Sequence, residues 1–451
     1  MLKRKITAEL ENFFNAGHNK ALLITGARQV GKTYIVREYG KKNFKSFVEI
    51  NLIENPTARE LFMNASNSND LLLRLSAIAD APLIPGETLI FLDEVQECKE
   101  IVTAIKFLVD EGSYRYVLSG SLLGVELQDI RSVPVGYMEI RDMYPLDFEE
   151  FILANGVSQR IMIALRKSFE DKTPVDTVVH TKLMELFRLY LIVGGMPAAV
   201  MQYLKSNNLK AVVREQRGII SVYKKDISKY DPDNKLYIED IFELIPSELN
   251  AKNKRFILKD LHDNFKFSRY SNSFLWLANA GVALPTHCVS EPECPLRLMR
   301  STNLFKLFLS DVGLLASMYM DDIQIKILNK EKDINFGSIY ENVAAQELRS
   351  HGFDLYYFNS KKQGEIDFLV EQQGEVIPIE IKSGKDYKKH AALSNVIQNP
   401  QYGIKTAYVF HNDNLSTDGV ITYYPIYMLM FVQKEMFDED MVYTLDLDAL
   451  K

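Results

Sequence analysis

The chain has 451 residues, 47% of them hydrophobic, and a formal net charge of −7. That length exceeds one ordinary core and calls for two to four domains, while the acidic balance excludes a globally basic nucleic-acid binder and leaves any DNA contact to a local patch. Cys98, Cys288 and Cys294 are too few for a disulfide framework, and the pair near His287 lacks the second pair of a zinc site. The opening MLKRKITAELENFFNAG holds no apolar run of signal length, and no stretch is long enough to span a bilayer, so a cytoplasmic protein with reduced thiols and no membrane partner is expected.

After an N-terminal helix, ALLIT (Ala21 to Thr25) reads as a buried strand, GARQVGKT follows from Gly26 to Thr33, and the helical YIVREYG comes next. The pattern G-x-x-x-x-G-K-T between a strand and a helix is a phosphate-binding loop. Its glycines let the chain curl so that the amides of Gly26, Ala27, Arg28, Gln29, Val30 and Gly31 and the helix N-terminus face one anion. Lys32 then reaches the β- and γ-phosphates, and the Thr33 hydroxyl ligates Mg²⁺.

A second strand in KSFVEINL leads to TLIFLDEVQE, Thr88 to Glu97, where four apolar residues end in adjacent acids. This is a Walker B pattern: a doubly buried strand delivers Asp93 at its carboxyl edge to hold the Mg²⁺ shell, and Glu94 is placed to orient or deprotonate an attacking water. The strand in RYVLSGS ends in small hydroxyls, which makes Ser119 the expected γ-phosphate sensor with Ser121 behind it; a Ser-Gly turn capping a strand explains either residue equally well.

With these elements in place, the chain resembles the bacterial and archaeal AAA-type ATPases whose C-terminal domain of unknown function is similar to a PD-(D/E)XK nuclease. The resemblance rests on LLITGARQVGKT, IFLDEVQE, YVLSGS, YPLDFEEF, YLIVGGMPAAV, FKLFLSDVGLLA, YENVAAQEL, EIDFLV and IPIEIKSG, an ordered set running from about Leu22 to Gly384. It implies ATP rather than GTP. One departure is visible: many relatives carry Gly-Arg before the PLSF-like stretch, whereas Gly136 is followed here by Tyr137, and neither Arg131 nor Arg141 matches that position. The identity of any arginine finger is therefore open.

From Tyr144 onward the sequence is helical, and Gly194-Gly195 with Pro197 breaks HTKLMELFRLYLIVGGMPAAVMQYL into helix-loop-helix. The resemblance implies a helical lid over the nucleotide. The basic run VYKKDISKY reads as a solvated helix face. Between Asn250 and Pro285 two or three short helices precede a strand, with Gly281 at a helix C-cap, an order that fits a winged helix. Such a module either reads DNA, through Lys266, Arg269 and Asn272, or docks a protein.

GEIDFLVEQQGEVIPIEIKSG, Gly364 to Gly384, reads as a hairpin with a four-residue turn at Gln372 to Glu375. In that register Asp367 lies opposite Glu380 and Glu365 opposite Lys382, all on one charged face, while Ile366, Phe368, Val370, Ile377, Ile379 and Ile381 form the apolar face. Two opposed carboxylates repel unless a divalent cation joins them; Asp367 and Glu380 then share Mg²⁺ or Mn²⁺, and Lys382 stabilises charge near an attacking water. Glu341 in YENVAAQEL, whose Val343, Ala344 and Leu348 side turns to the sheet, matches the family's helix glutamate and is the further metal ligand.

The expected fold is α/β: an AAA-type P-loop ATPase core with a parallel sheet (1–145), a helical lid (146–245), a winged-helix-like domain (246–330) and a PD-(D/E)XK-like α/β domain (331–451). The expected activity is Mg²⁺-dependent ATP hydrolysis, with the catalytic and binding residues named above. Two alternatives stand beside it, an ATP-gated metal-dependent nuclease and a non-enzymatic nucleotide switch that docks a protein partner. DNA and a protein are the candidate partners. The substrate acted upon, the oligomeric state and the pathway are not legible.

Overall fold

The computed structural model describes residues 2–63, 68–121, 136–230, 235–251, 267–319, 323–329, 336–435 and 444–445. Ala21–Thr25 (β1), Ser46–Asn51 (β2), Thr88–Asp93 (β3), Arg115–Ser119 (β4) and Met138–Asp142 (β5) form a sheet in the order β2-β3-β4-β1-β5, with every pair parallel. The near-continuous apolar runs follow from burial on both faces. Leu22, Ile24, Leu89, Phe91 and Val117 point into one core, whereas Leu23, Ile90, Leu92 and Leu118 point into another. The helices Lys32–Asn43 and Lys99–Glu111 make the crossovers that parallel strands require. Because β1 is flanked by β4 and β5 while β2 lies at the far edge, the winding reverses beside β1, and a crevice opens at the carboxyl ends of these strands.

The middle of the chain is helical as expected. Thr177–Val193 and Pro197–Ser206 meet at Gly194-Gly195, and a Cβ on Gly195 would stand 2.0 Å from the Leu146 carbonyl oxygen. Only glycine fits so close an approach. Leu209–Tyr230 and Lys235–Asn250 pack behind them, in the same core that takes Leu22 and Ile24 of β1.

Of the segment expected to be winged-helix-like, residues 252–266 lie outside the described residues. Lys266 lies outside the described residues, Arg269 lies on the helix Phe267–Asn279, and Asn272 on the same helix is exposed. Gly281 adopts φ +71° after this helix, and the strands Ala283–Val289 (β6) and Arg300–Leu309 (β7) follow as an antiparallel pair. Their free edge does not stand alone. β6 pairs in parallel with Tyr356–Ser360 (β8), and so extends the C-terminal sheet. An open strand edge carries unpaired amides and carbonyls, and β8 supplies partners for those of β6. The division at 330/331 therefore runs between strands that are hydrogen-bonded to each other.

The C-terminal strands are Gly364–Gln372 (β9), Glu375–Ile381 (β10), Ala407–His411 (β11), Ser416–Asp418 (β12) and Ile421–Pro425 (β13), giving an eight-stranded mixed sheet in the order β12-β13-β11-β10-β9-β8-β6-β7. The β9-β10 ladder has the expected register, from Glu375 opposite Gln372 to Ile379 opposite Phe368. The single apolar face does not hold. Phe368, Val370, Ile377 and Ile379 join the core under the helix Phe336–Ser350, while Ile366, Leu369 and Val376 join a second core with Leu393 and Val396 of the helix Ala391–Gln398. Both faces of the hairpin are covered, and Glu365, Asp367, Glu380 and Lys382 lie at the end away from the turn.

Candidate nucleotide site and carboxylate hairpin

The loop after β1 curls because three of its residues adopt positive φ: Gly26 at +137°, Gln29 at +66° and Gly31 at +99°. A Cβ on Gly26 would meet the Met143 carbonyl oxygen at 2.1 Å, so this position takes glycine alone. The curl buries Lys32, whose Nζ donates to the carbonyl oxygens of Gly26 at 2.9 Å and Ala27 at 2.8 Å. Burial lowers its pKa to about 8, against the pull of Glu94 and Asp93. A buried ammonium bonded to neutral carbonyls is a site prepared for an anion.

Asp93 ends β3 and is buried. Its Oδ2 accepts from Thr33 Oγ1 at 2.9 Å and from Asn51 Nδ2 at 3.1 Å, and its Oδ1 accepts from the Ser119 hydroxyl. Burial raises its pKa, partly offset by the hydrogen bonds from Ser119 and Thr33. The structure thus brings Lys32, Thr33, Asp93 and Ser119 together at one mouth of the sheet. Glu94 follows in the left-handed region at φ +59°. Its Oε2 accepts from Gln96 Nε2 at 2.5 Å and from Ser121 Oγ at 3.2 Å. Arg28 Nε donates to that same hydroxyl at 3.2 Å, and its guanidinium pairs with Asp226 on the helix Leu209–Tyr230. Tyr223 of that helix donates to the Arg28 carbonyl at 3.1 Å.

Asn51, Gln96 and Asp226 escaped the sequence reading. The first two carry a usable signal, since Asn51 closes β2 at the same sheet edge and Gln96 follows the paired acids. Asp226 has none, because it lies inside the basic run read as a solvated face. Tyr137, which takes the place of the family's arginine, packs against the core that holds Leu23 and Leu118; Arg141 pairs with Glu9 at 3.4 Å and Glu139 at 3.2 Å, and Arg131 lies outside the described residues.

In the hairpin, Asp367 Oδ2 accepts the Ile381 amide at 2.9 Å and Glu380 Oε2 accepts from Lys382 Nζ at 2.7 Å. Burial and then Asp367 push the Glu380 carboxyl up to about 8, with Lys382 opposing. Glu341 is buried on its helix, as Val343, Ala344 and Leu348 beside it are. Its carboxylate stands 3.5 Å from the ammonium of Lys306, a fully buried residue of β7 that also pairs with Glu365 at 2.8 Å. Burial would discharge Lys306; Glu341 and Glu365 outweigh it and raise its pKa. Glu365 thus pairs with Lys306 rather than with Lys382. Asp367 and Glu380 offer the hard oxygens that Mg²⁺ or Mn²⁺ takes, while Glu341 is engaged by Lys306.

Comparison with known proteins divides along the same lines. Residues 18–152 match an AAA domain family. The amino-terminal third is a P-loop ATPase domain. Residues 184–326 match the domain of unknown function DUF8612, which spans the division expected at 245/246, and residues 336–429 match the domain of unknown function DUF4143. The chain is 22% identical over 361 residues to an uncharacterized protein of Methanocaldococcus jannaschii, covering 78% of this chain and 72% of that one. Among solved structures, it is similar to the Walker-type ATPase PABY2304 of Pyrococcus abyssi (13% identity, 71% of this chain and 96% of that chain, TM-score 0.41). It also overlaps the ORC1 protein of Aeropyrum pernix, solved in complex with DNA (11% identity, 73% and 91%, TM-score 0.25). Overlaps of this size bear on neither ligand nor activity. No helix among the described residues is long and apolar enough to cross a membrane.

Proposed function

We propose that the chain hydrolyses ATP at the mouth of the five-stranded sheet. The observation that carries this reading is the buried Lys32, hydrogen-bonded to two carbonyls and positioned by the loop that ends in the helix N-terminus. In the proposed mechanism the loop amides and Lys32 bind the β- and γ-phosphates. Thr33 and Asp93, already in contact, are the residues that would hold Mg²⁺. Magnesium, when bound, neutralises charge on the phosphate oxygens. Glu94 takes the proton of the attacking water, and Ser119, fixed on Asp93, faces the terminal phosphate. Lys32→Ala is expected to lower the rate of phosphate release on the order of 10²- to 10³-fold, as removal of a transition-state donor does. Equal turnover of the two proteins with Mg²⁺-ATP would remove the assignment.

A second reading concerns the hairpin, which we propose as a divalent metal site for cleaving phosphodiesters of the PD-(D/E)XK kind. It is supported by Glu380, whose buried carboxyl sits beside Asp367 and is held by Lys382. Lys382 would stabilise charge at the reacting phosphate, and DNA is the proposed substrate, acted on in step with ATP. Mn²⁺-dependent nicking of plasmid DNA that persists in Asp367→Ala or Glu380→Ala would overturn this reading and leave the ATPase untouched.

A further inference from the structure

A third cluster lies where the ATPase domain meets the C-terminal sheet, away from both sites above. Asp147 is the N-cap of the helix Phe148–Ala154, and Glu347 and His351 lie four residues apart at the end of the helix Phe336–Ser350. Among the described residues, these three form the group of His, Cys, Asp and Glu side chains whose ligand atoms all lie within 4.8 Å of one another. All three side chains are at least nine-tenths buried, at 4%, 1% and 2% exposure.

His351 Nδ1 lies 2.8 Å from the Val432 carbonyl oxygen. A carbonyl only accepts, so Nδ1 carries a hydrogen, and Nε2 is the ring nitrogen turned toward the two carboxylates. Nε2 stands 3.2 Å from Asp147 Oδ2 and 3.8 Å from Glu347 Oε2. Glu347 Oε1 is satisfied by the Phe148 amide at 2.8 Å and by the Tyr190 hydroxyl at 3.4 Å. Its Oε2, aimed into the cluster and buried, has no hydrogen-bond partner. Buried oxygens left in this state are rare.

We propose that Asp147, Glu347 and His351 bind a divalent zinc-class cation that fastens the ATPase domain to the C-terminal sheet. Three features support it. One nitrogen and two carboxylate oxygens are a zinc donor set. Zinc bonds of about 2.0–2.1 Å set donors about 3.3 Å apart on a tetrahedron, against 3.2 and 3.8 Å from His351 Nε2 to the two carboxylates and no more than 4.8 Å between any two of the three groups. The ring nitrogen facing away is fixed by a carbonyl, as metal-bound histidines are. Lys5 is the competitor: its Nζ holds Asp147 Oδ2 at 2.5 Å and Glu149 at 2.7 Å. At 37% side-chain exposure it is free to turn to water while keeping Glu149. Asp147 Oδ1 accepts the Glu150 amide at 2.8 Å and stays in that role.

The test uses full-length protein carrying Asp367→Ala and Glu380→Ala, so that the hairpin holds no metal. Zinc content is measured by mass spectrometry, and Co²⁺ substitution is followed by its visible absorption, which reports tetrahedral nitrogen and oxygen ligation. The expected result is a single zinc per chain and an intense Co²⁺ band. His351→Gln should weaken binding at least about 100-fold, beyond what loss of an outer-shell partner costs. Lys5→Met, which removes the competing ammonium and needs no refolding of the core, should tighten it about tenfold. If neither this protein nor its Lys5→Met form takes up zinc or shows the Co²⁺ band, or if His351→Gln remains folded and keeps full affinity, the proposal fails.

Discussion

The P-loop mouth and the hairpin face opposite electrostatic problems. At the first, a buried cation is bonded to neutral carbonyls; at the second, a buried acid stands beside another acid with one lysine to balance it. Burial disfavours the charged form of either group, so Lys32 is pushed down and Glu380 up, and both come to about 8. Each site is short of the charge that its ligand would bring. Burial is the first cause of both shifts, and the ligands proposed above, an anion at the first site and a cation at the second, would each offset it.

The comparison yields a sharp pair of pH dependences. The larger belongs to the hairpin. Below pH 8 Glu380 is protonated in the free protein, so a metal must displace that proton. Mn²⁺ affinity should therefore rise about tenfold per pH unit from pH 6 to 8, roughly 100-fold in all, and level off above. Calorimetry in two buffers of different ionisation heat should find one proton released at pH 6.5 and none at pH 9. Glu380→Gln should abolish the slope. A flat profile in the unmodified protein would take Glu380 out of the metal site.

The nucleotide site should run the other way and over a narrower range. Below pH 8 Lys32 is already charged, and triphosphate binds without taking up a proton. Above pH 8 binding must recharge the lysine, so Mg²⁺-ATP affinity should fall, by up to about tenfold between pH 8 and 9. Lys32→Ala should bind weakly and without this slope. Affinity that is constant from pH 7 to 9 would show that Lys32 does not meet the phosphates.

How much of this was legible in the residues depends on the reach of each interaction. Strand, loop and helix around Lys32 are contiguous, and alternation fixes the hairpin register from its turn; both are local properties. Lys306 is not local. It enters the carboxylate cluster from β7, which meets β9 only through β6 and β8, and nothing in its own neighbourhood announces a buried cation. The second core under the hairpin was hidden for a related reason. Leu369 and Val376 are apolar residues on the side that holds Glu365 and Asp367, and the helix Ala391–Gln398 that covers them comes later in the chain. Likewise β6 and β7 look like a self-sufficient hairpin until β8 arrives to pair with the free edge. Sequence patterns specify which faces are apolar; which element covers them is a tertiary matter.

The smallest effect concerns the connection between the two parts of the ATPase site. Asp226, on the helix Leu209–Tyr230, holds the guanidinium of Arg28, which in turn donates to Ser121, whose hydroxyl donates to Glu94. The helical region is thereby tied to Glu94, proposed above to activate water, through the third residue of the phosphate loop. The ion pair is partly exposed, at 22% and 9%, so its worth is near the upper end of surface pairs, about 1 kcal/mol. Asp226 also neutralises a cation that stands next to the phosphate positions. Asp226→Asn keeps the shape and removes the charge, leaving Arg28 to meet the nucleotide. Mg²⁺-ATP affinity should then improve by a few-fold, about fivefold at most for 1 kcal/mol, while Arg28→Ala should weaken it. A fluorescent ATP analogue titrated against the three proteins measures both. Weaker binding by Asp226→Asn would mean that the aspartate props the loop open for ATP rather than competing with it for the arginine.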